Sequence, residues 1–158
     1  MGKIRLLHLA DTHLGVESYG KIDPATGLNT RLADFTSTLD EAVEYALAQG
    51  IHLVVFAGDA YRTRDPNQTY QREFAKRIKR LSESGIAVFL LVGNHDVPMA
   101  AGRANAVDIF ETLAVDNVHV GRVRTVYVLD TLGGRVQVVA VPWLMKNLLL
   151  SKEDYKNK

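Results

Sequence analysis

Three hydrophobic runs, Ile4 to Ala10, Ile51 to Ala57 and Ile86 to Val92, each give way abruptly to a short polar cluster. Rich in Val, Ile and Leu, runs of this length predict strands of a buried parallel sheet. Between them lie two helical stripes: Leu32, Phe35, Leu39, Val43, Ala46 and Leu47 before Gly50, and Tyr70, Phe74, Ile78 and Leu81 before Gly85. Glycine is the residue that most readily ends a helix, so both stripes have a natural stop. Pro98 and Gly102 mark a further loop, Ala106 to Leu113 a shorter helix, and Asn117 to Val120 a fourth, short strand. The order predicts an α/β fold of βαβ units, with a largely parallel sheet flanked by helices and right-handed crossovers.

From Val123 the pattern changes. Val123 to Leu129 and Arg135 to Val141 flank Gly133-Gly134, which predicts a hairpin and the start of a second sheet over 123–141. The stretch from Leu14 to Asn29 carries Gly15, Gly20, Pro24 and Gly27 and reads as a loop leaving the first strand. Pro142-Trp143 and Leu148 to Leu150 still look like core material, yet Ser151 to Lys158 is polar. The expectation is that residues 1–158 are the N-terminal part of a domain, truncated before the fold is complete.

A chain of 158 residues buries roughly two thirds of its unfolded surface, enough for a true core. Apolar residues make up 47% and charged residues 23%, which argues against disorder. Lysine plus arginine number 19 against 18 for aspartate plus glutamate, so any polyanion must be recognised by a local site rather than by bulk charge. The absence of cysteine excludes disulfides and thiolate metal sites, leaving oxygen and imidazole for metal chemistry. The first apolar run is interrupted by Arg5 and His8, too short and polar for a signal or a membrane span. A cytoplasmic protein with no membrane partner is expected.

The polar clusters that follow the strands are Asp11-Thr12-His13, Gly58-Asp59 and Gly93-Asn94-His95-Asp96. The carboxyl ends of parallel strands share one edge, so three separated stretches deliver ligand-type side chains to one rim. Their mixed oxygen and nitrogen donors suit Mn, Fe or Zn better than Mg alone. Two such ions can share a carboxylate, activate a water and hold the oxygens of a phosphodiester. Asp59, on the middle strand in chain order, is the natural bridge. Singly, each cluster has an ordinary explanation: Asp11 can cap a turn, His13 can be a loop histidine, Gly58-Asp59 can be a strand-to-loop turn and Asn94 an Asx turn. Their joint placement is what points to a metal centre. His8, His52 and His119 fall within or at the ends of strands and read as core or sheet residues.

Arg62 and Arg64, in the loop after Asp59, are candidate substrate contacts to a phosphate backbone, with pairing to Asp65 or solvent as the competing explanation. Lys76, Arg77, Lys79 and Arg80 read as a solvated helix face. Tyr61 and Tyr70 are candidates for stacking on bases, although Tyr70 also falls on the core stripe of its helix.

The ordered set Asp11-x-His13-Leu14-Gly15, Gly58-Asp59-Ala60-Tyr61 and Gly93-Asn94-His95-Asp96, with 48 residues from Asp11 to Asp59 and 35 from Asp59 to Asn94, resembles the calcineurin-like metallophosphoesterases. Within them it resembles the DNA repair nucleases of the bacterial SbcD and archaeal and eukaryotic Mre11 type, from Lys3 to about Pro142-Trp143. The resemblance implies the first half of a four-layer metallophosphoesterase sandwich. It implies two divalent ions, Mn first with Mg, Fe or Zn as alternatives: Asp11 and His13 on one, Asp59 bridging both, Asn94 on the second. His95 is then the catalytic acid, oriented by Asp96.

The implied activity is metal-dependent DNA phosphodiester hydrolysis of the 3′–5′ exonuclease type, with endonuclease action, in DNA repair and recombination. The implied partners are DNA, a second copy in a homodimer, and a coiled-coil ATPase of the SbcC/Rad50 type. Two features depart from the family. The position three after Asp59, histidine or aspartate in relatives, is Arg62, and the Gly-His and Gly-His-x-His loops that supply three further histidines are missing from this sequence. The chain is therefore expected to carry about half of the two-metal site and to be weakly active or inactive alone. The alternatives are a small-molecule metallophosphoesterase acting on cyclic nucleotides or nucleotide derivatives, and an inactive association module.

Overall fold

The computed structural model describes residues 3–98 and 103–144. Gly102, Leu148 to Leu150 and the polar stretch 151–158 lie outside the described residues. Strands and helices alternate as β1 (Leu6–Leu9), α1 (Thr30–Ala48), β2 (Leu53–Phe56), α2 (Gln68–Glu83), β3 (Ala87–Leu91), α3 (Asp108–Thr112) and β4 (Val118–Gly121). Two longer strands follow, β5 (Thr125–Thr131) and β6 (Gly134–Ala140). The first four strands form a parallel sheet in the order β1-β2-β3-β4, and β5 and β6 form a separate antiparallel pair. The α/β arrangement with a second sheet is thus as the hydrophobic pattern required.

Both faces of the central strands β2 and β3 are covered, which explains their near-continuous apolar runs. Leu9, Phe56, Leu90 and Val120 lie side by side in register and pack on the helices around Phe74 and Ile78 of α2. On the opposite face Leu53, Ala87 and Phe89 meet Leu129 and Ala140 of the hairpin. The hairpin turn brings Gly133 so close to the His52 ring that a β-carbon there has no room.

The first strand departs from expectation. Leu6 is 51% exposed and His8 is exposed too, because the inward residues of the hairpin meet β2 and β3 and leave that face of the edge strand uncovered. His8 is therefore a sheet residue but not a core residue. His52 accepts a hydrogen bond through Nδ1 from the Arg5 N–H at 3.2 Å, and His119 is half-buried in β4.

Each long helix starts on an asparagine whose side chain takes up an otherwise unpaired N–H: Asn29 accepts from the Arg31 N–H at 2.8 Å and Asn67 from the Tyr70 N–H at 3.0 Å. The basic run on α2 is only partly a solvated face. Arg77 turns inward, donating through Nε to Asp40 of α1 at 2.9 Å and through Nη1 to Glu73 at 2.8 Å. Glu73 is 5% exposed and also receives Lys76 at 2.8 Å and Arg72 at 2.9 Å. Burial alone pushes the Glu73 carboxyl up, but the bonds from Lys76, Arg77 and Arg72 outweigh it and hold the group below the usual glutamate range. Among the described residues no helix is long and apolar enough to cross a membrane.

Removing one partner of a buried ion pair leaves the other uncompensated. Arg77→Ala should therefore lower stability, toward the lower end of about 3–5 kcal/mol, since Lys76 and Arg72 still reach Glu73; urea unfolding reads it. Because the folded Glu73 carboxyl titrates low, its contribution is complete above the unfolded value of about 4.3 and is lost as pH falls toward the folded value. The urea midpoint of the wild type should accordingly fall more steeply below pH 5 than that of Glu73→Gln.

Candidate metal centre

The loops that leave β1 and β2 run alongside each other beyond the sheet. Asp11 N–H donates to Gly58 O at 3.1 Å, His13 N–H to Asp59 O at 3.0 Å and Leu14 N–H to Ala60 O at 3.1 Å, and Arg62 N–H returns to Leu14 O at 2.9 Å. This ladder sets Asp11 and His13 beside Asp59. The loop after β3 is joined to the second by side chains: Asp96 Oδ2 accepts from the N–H groups of Asp59 at 2.8 Å and Gly93 at 2.9 Å, while Asp59 Oδ1 accepts from His95 N–H at 2.9 Å. Gly58 and Gly93 permit the approach, for a β-carbon on Gly58 would sit 2.8 Å from Gly93 Cα.

Three of the candidate ligands occupy the left-handed region, with φ 55° at Asp11, 43° at His13 and 56° at Asp59. Residues other than glycine visit it at a cost of about 1 kcal/mol or more each. The inter-loop hydrogen bonds hold them there, so the ligand geometry is over-determined by its surroundings.

These constraints bring together residues far apart in sequence. One donor atom each from His13, Asp59 and His95 lie within 4.8 Å of one another. His13 Nε2 is 3.4 Å from Asp11 Oδ1 and 3.8 Å from Asp59 Oδ2, and the His13 and His95 rings meet edge to face with centroids 4.9 Å apart. Asp11, Asp59 and Asn94 line a single open cleft of about 490 Å³. Imidazole nitrogens and carboxylate oxygens on a rigidly held backbone are a donor set that fits Mn, Fe or Zn.

Asp96 has a different part from the one expected. Its carboxylate, 2% exposed, faces the backbone of the second and third loops, and the His95 imidazole is steadied instead by the Arg62 carbonyl, 3.0 Å from Nδ1. A carbonyl oxygen only accepts, so Nδ1 carries the proton in this contact and Nε2 is the nitrogen left for other chemistry. Burial pushes the Asp96 carboxyl up, with the nearby Asp59 charge adding to it against the pull of the N–H bonds. Asp96 is thus a positioning residue for the ligand loops. No sequence signal marks the Arg62 carbonyl, because every residue has one.

Arg62 and Arg64 are exposed and line a pocket with Thr63, Asp65, His95 and Arg103. Asp65 pairs with Arg103 at 3.4 Å, and Arg64 donates to Asn94 O at 3.4 Å. Arg103 escaped the sequence reading because only folding brings it beside His95. Tyr61 is buried against Phe74, with its hydroxyl pKa pushed up by burial and then by Asp96, and Tyr70 donates its hydroxyl to Glu17 at 2.5 Å while packing on the core. Tyr61 is closed to a base.

Comparison with known proteins agrees with this geometry. The chain is 31% identical to the DNA double-strand break repair protein Mre11 of Thermoplasma acidophilum over 109 residues, 69% of this chain and 27% of that protein. The corresponding figures for the Mre11 of Halobacterium salinarum are 31% over 111 residues, 70% and 26%, and for that of Sulfurisphaera tokodaii 30% over 98 residues, 62% and 24%. The match spans about a quarter of the length of these relatives. The family model described as calcineurin-like phosphoesterase matches residues 4–154. With the parallel sheet, the three ligand loops at its carboxyl edge and that match over nearly all its length, the chain belongs to the calcineurin-like phosphoesterase family.

Proposed function

We propose that this chain is the N-terminal part of a metal-dependent DNA phosphodiesterase and carries about half of a two-metal site. The observation that carries the reading is the convergence of His13, Asp59 and His95 within 4.8 Å, beside Asp11 and Asn94, in a chain similar to proteins named for DNA double-strand break repair. Asp11 and His13 would hold one divalent ion, Asp59 would be shared, and Asn94 would serve the second. Mn suits the mixed donors best, with Fe, Zn or Mg as alternatives. When bound, such ions supply Lewis acidity toward phosphodiester oxygens and lower the pKa of water.

The remaining work falls to protein groups. His95, with its Nδ1–H tied to the Arg62 carbonyl, would pass a second proton, carried on Nε2 in the imidazolium form, to the leaving oxygen and return to the neutral ring. Asp96 keeps the ligand loops in register through the backbone of Asp59 and Gly93. Arg62 and Arg64, which share a pocket with His95, neutralise phosphates that flank the scissile bond. The whole protein is then a cytoplasmic 3′–5′ exonuclease and endonuclease of repair and recombination, working as a homodimer with a coiled-coil ATPase of the SbcC/Rad50 type.

Three measurements test this reading. Mn titrated into the 158-residue chain should bind weakly and support little turnover; tight binding of two ions per chain would overturn the half-site. In protein that supplies the complete site, Asp59→Asn should abolish cleavage of DNA ends and weaken Mn binding. His95→Ala should lower kcat by about 10²–10⁴-fold while sparing Mn affinity; equal loss of Mn affinity in both variants would instead make His95 a ligand. A substrate panel in which nucleotide esters turn over much faster than DNA ends would sink the DNA assignment.

A further inference from the structure

The cleft that holds Asp11, Asp59 and Asn94 has a second wall that metal chemistry leaves unused. The residues leaving β6 cross the carboxyl end of β3, where the Trp143 N–H donates to Val92 O at 3.0 Å. Pro142 is buried in this crossing, whereas the Trp143 side chain is 57% exposed and lines the cleft. The lining of the cleft is therefore mixed. The oxygen-bearing groups of Asp11, Asp59 and Asn94 share it with the apolar surface of Val92, Pro142 and Trp143.

A phosphate or a phosphorylated side chain needs only the oxygen-bearing groups, through the divalent ions they would hold. A nucleotide uses the apolar surface as well, because it joins an anion to a flat aromatic ring within a few ångströms. Indole is a broad stacking surface, and here its backbone is pinned to β3 at the rim of the cleft. The tyrosines that the sequence offered for this task are engaged elsewhere, Tyr61 in the core and Tyr70 with Glu17.

We propose that Trp143 is the base-stacking wall of this site, placing a nucleobase on its indole while divalent ions that Asp11, Asp59 and Asn94 would hold offset the charge of the adjoining phosphate. The proposal rests on the phosphodiesterase reading and deepens it, naming the group that selects nucleotides over other phosphate esters without regard to base identity, since every base has a π-face.

Trp143 is the single tryptophan of the chain, which makes its emission a direct reporter. With Mn present, deoxyadenosine 5′-monophosphate should quench that emission saturably, and deoxyribose 5-phosphate at equal concentration should not. By equilibrium dialysis, Trp143→Ala should bind the mononucleotide about tenfold or more weakly, Trp143→Phe should keep most of the affinity, and Mn affinity measured with the metal alone should be the same in all three. Equal binding of the base-free sugar phosphate, no mononucleotide binding, unchanged affinity in Trp143→Ala, or loss of Mn affinity in that variant would each overturn the proposal. The two readings fail separately: quenching without DNA cleavage by the complete site sinks the hydrolase alone, and cleavage without quenching sinks the role of Trp143 alone.

Discussion

The carboxyl edge of this sheet depends on how closely the second and third ligand loops approach each other. Gly58 and Gly93 lie in backbone contact that no β-carbon would allow, and the buried Asp96 carboxylate ties Asp59 and Gly93 together through their N–H groups. Burying a carboxylate is costly, and Asp96 offsets that cost through Oδ2 alone, which takes one N–H from each loop. Oδ1 has no hydrogen-bond partner among the described residues, so Asp96 depends on both loops being in place. That mutual dependence makes the arrangement of Asp59, Asn94 and His95 a property of the pair of loops rather than of either one.

Strain and support are matched along the same edge. Asp11, His13 and Asp59 all take positive φ, and the hydrogen bonds that hold them run between loops, from Asp11 to Gly58 and from His13 to Asp59. More exposed groups lie around the ligand set: Arg62 and Arg64 are exposed beside His95, and Trp143 lines the Asp59 cleft with its backbone N–H bonded to Val92.

The body of the fold supplies the rigidity that the loops require. The row from Leu9 to Val120 is sealed by the helices, and α1 and α2 are locked by the Asp40, Arg77 and Glu73 network. The hairpin seals the other face only over β2 and β3, leaving Leu6 and His8 open, and its own outer face carries Val126 and Val139, cross-strand partners that are 52% and 72% exposed.

Periodicity was enough to find β1 to β6 and α1 to α3, because a strand buried on two faces and a helix with an apolar stripe each impose a pattern on consecutive residues. The polar clusters stood out as candidates for a related reason: they sit immediately after strands, where a parallel sheet collects them on one edge. What the letters could not show is anything set by pairs of residues distant in the chain. That His95 leans on the Arg62 carbonyl, that Asp96 serves backbone rather than imidazole, that Arg77 points inward and that Leu6 is left bare all depend on which surfaces meet, and those meetings exist only once the loops and the hairpin have packed.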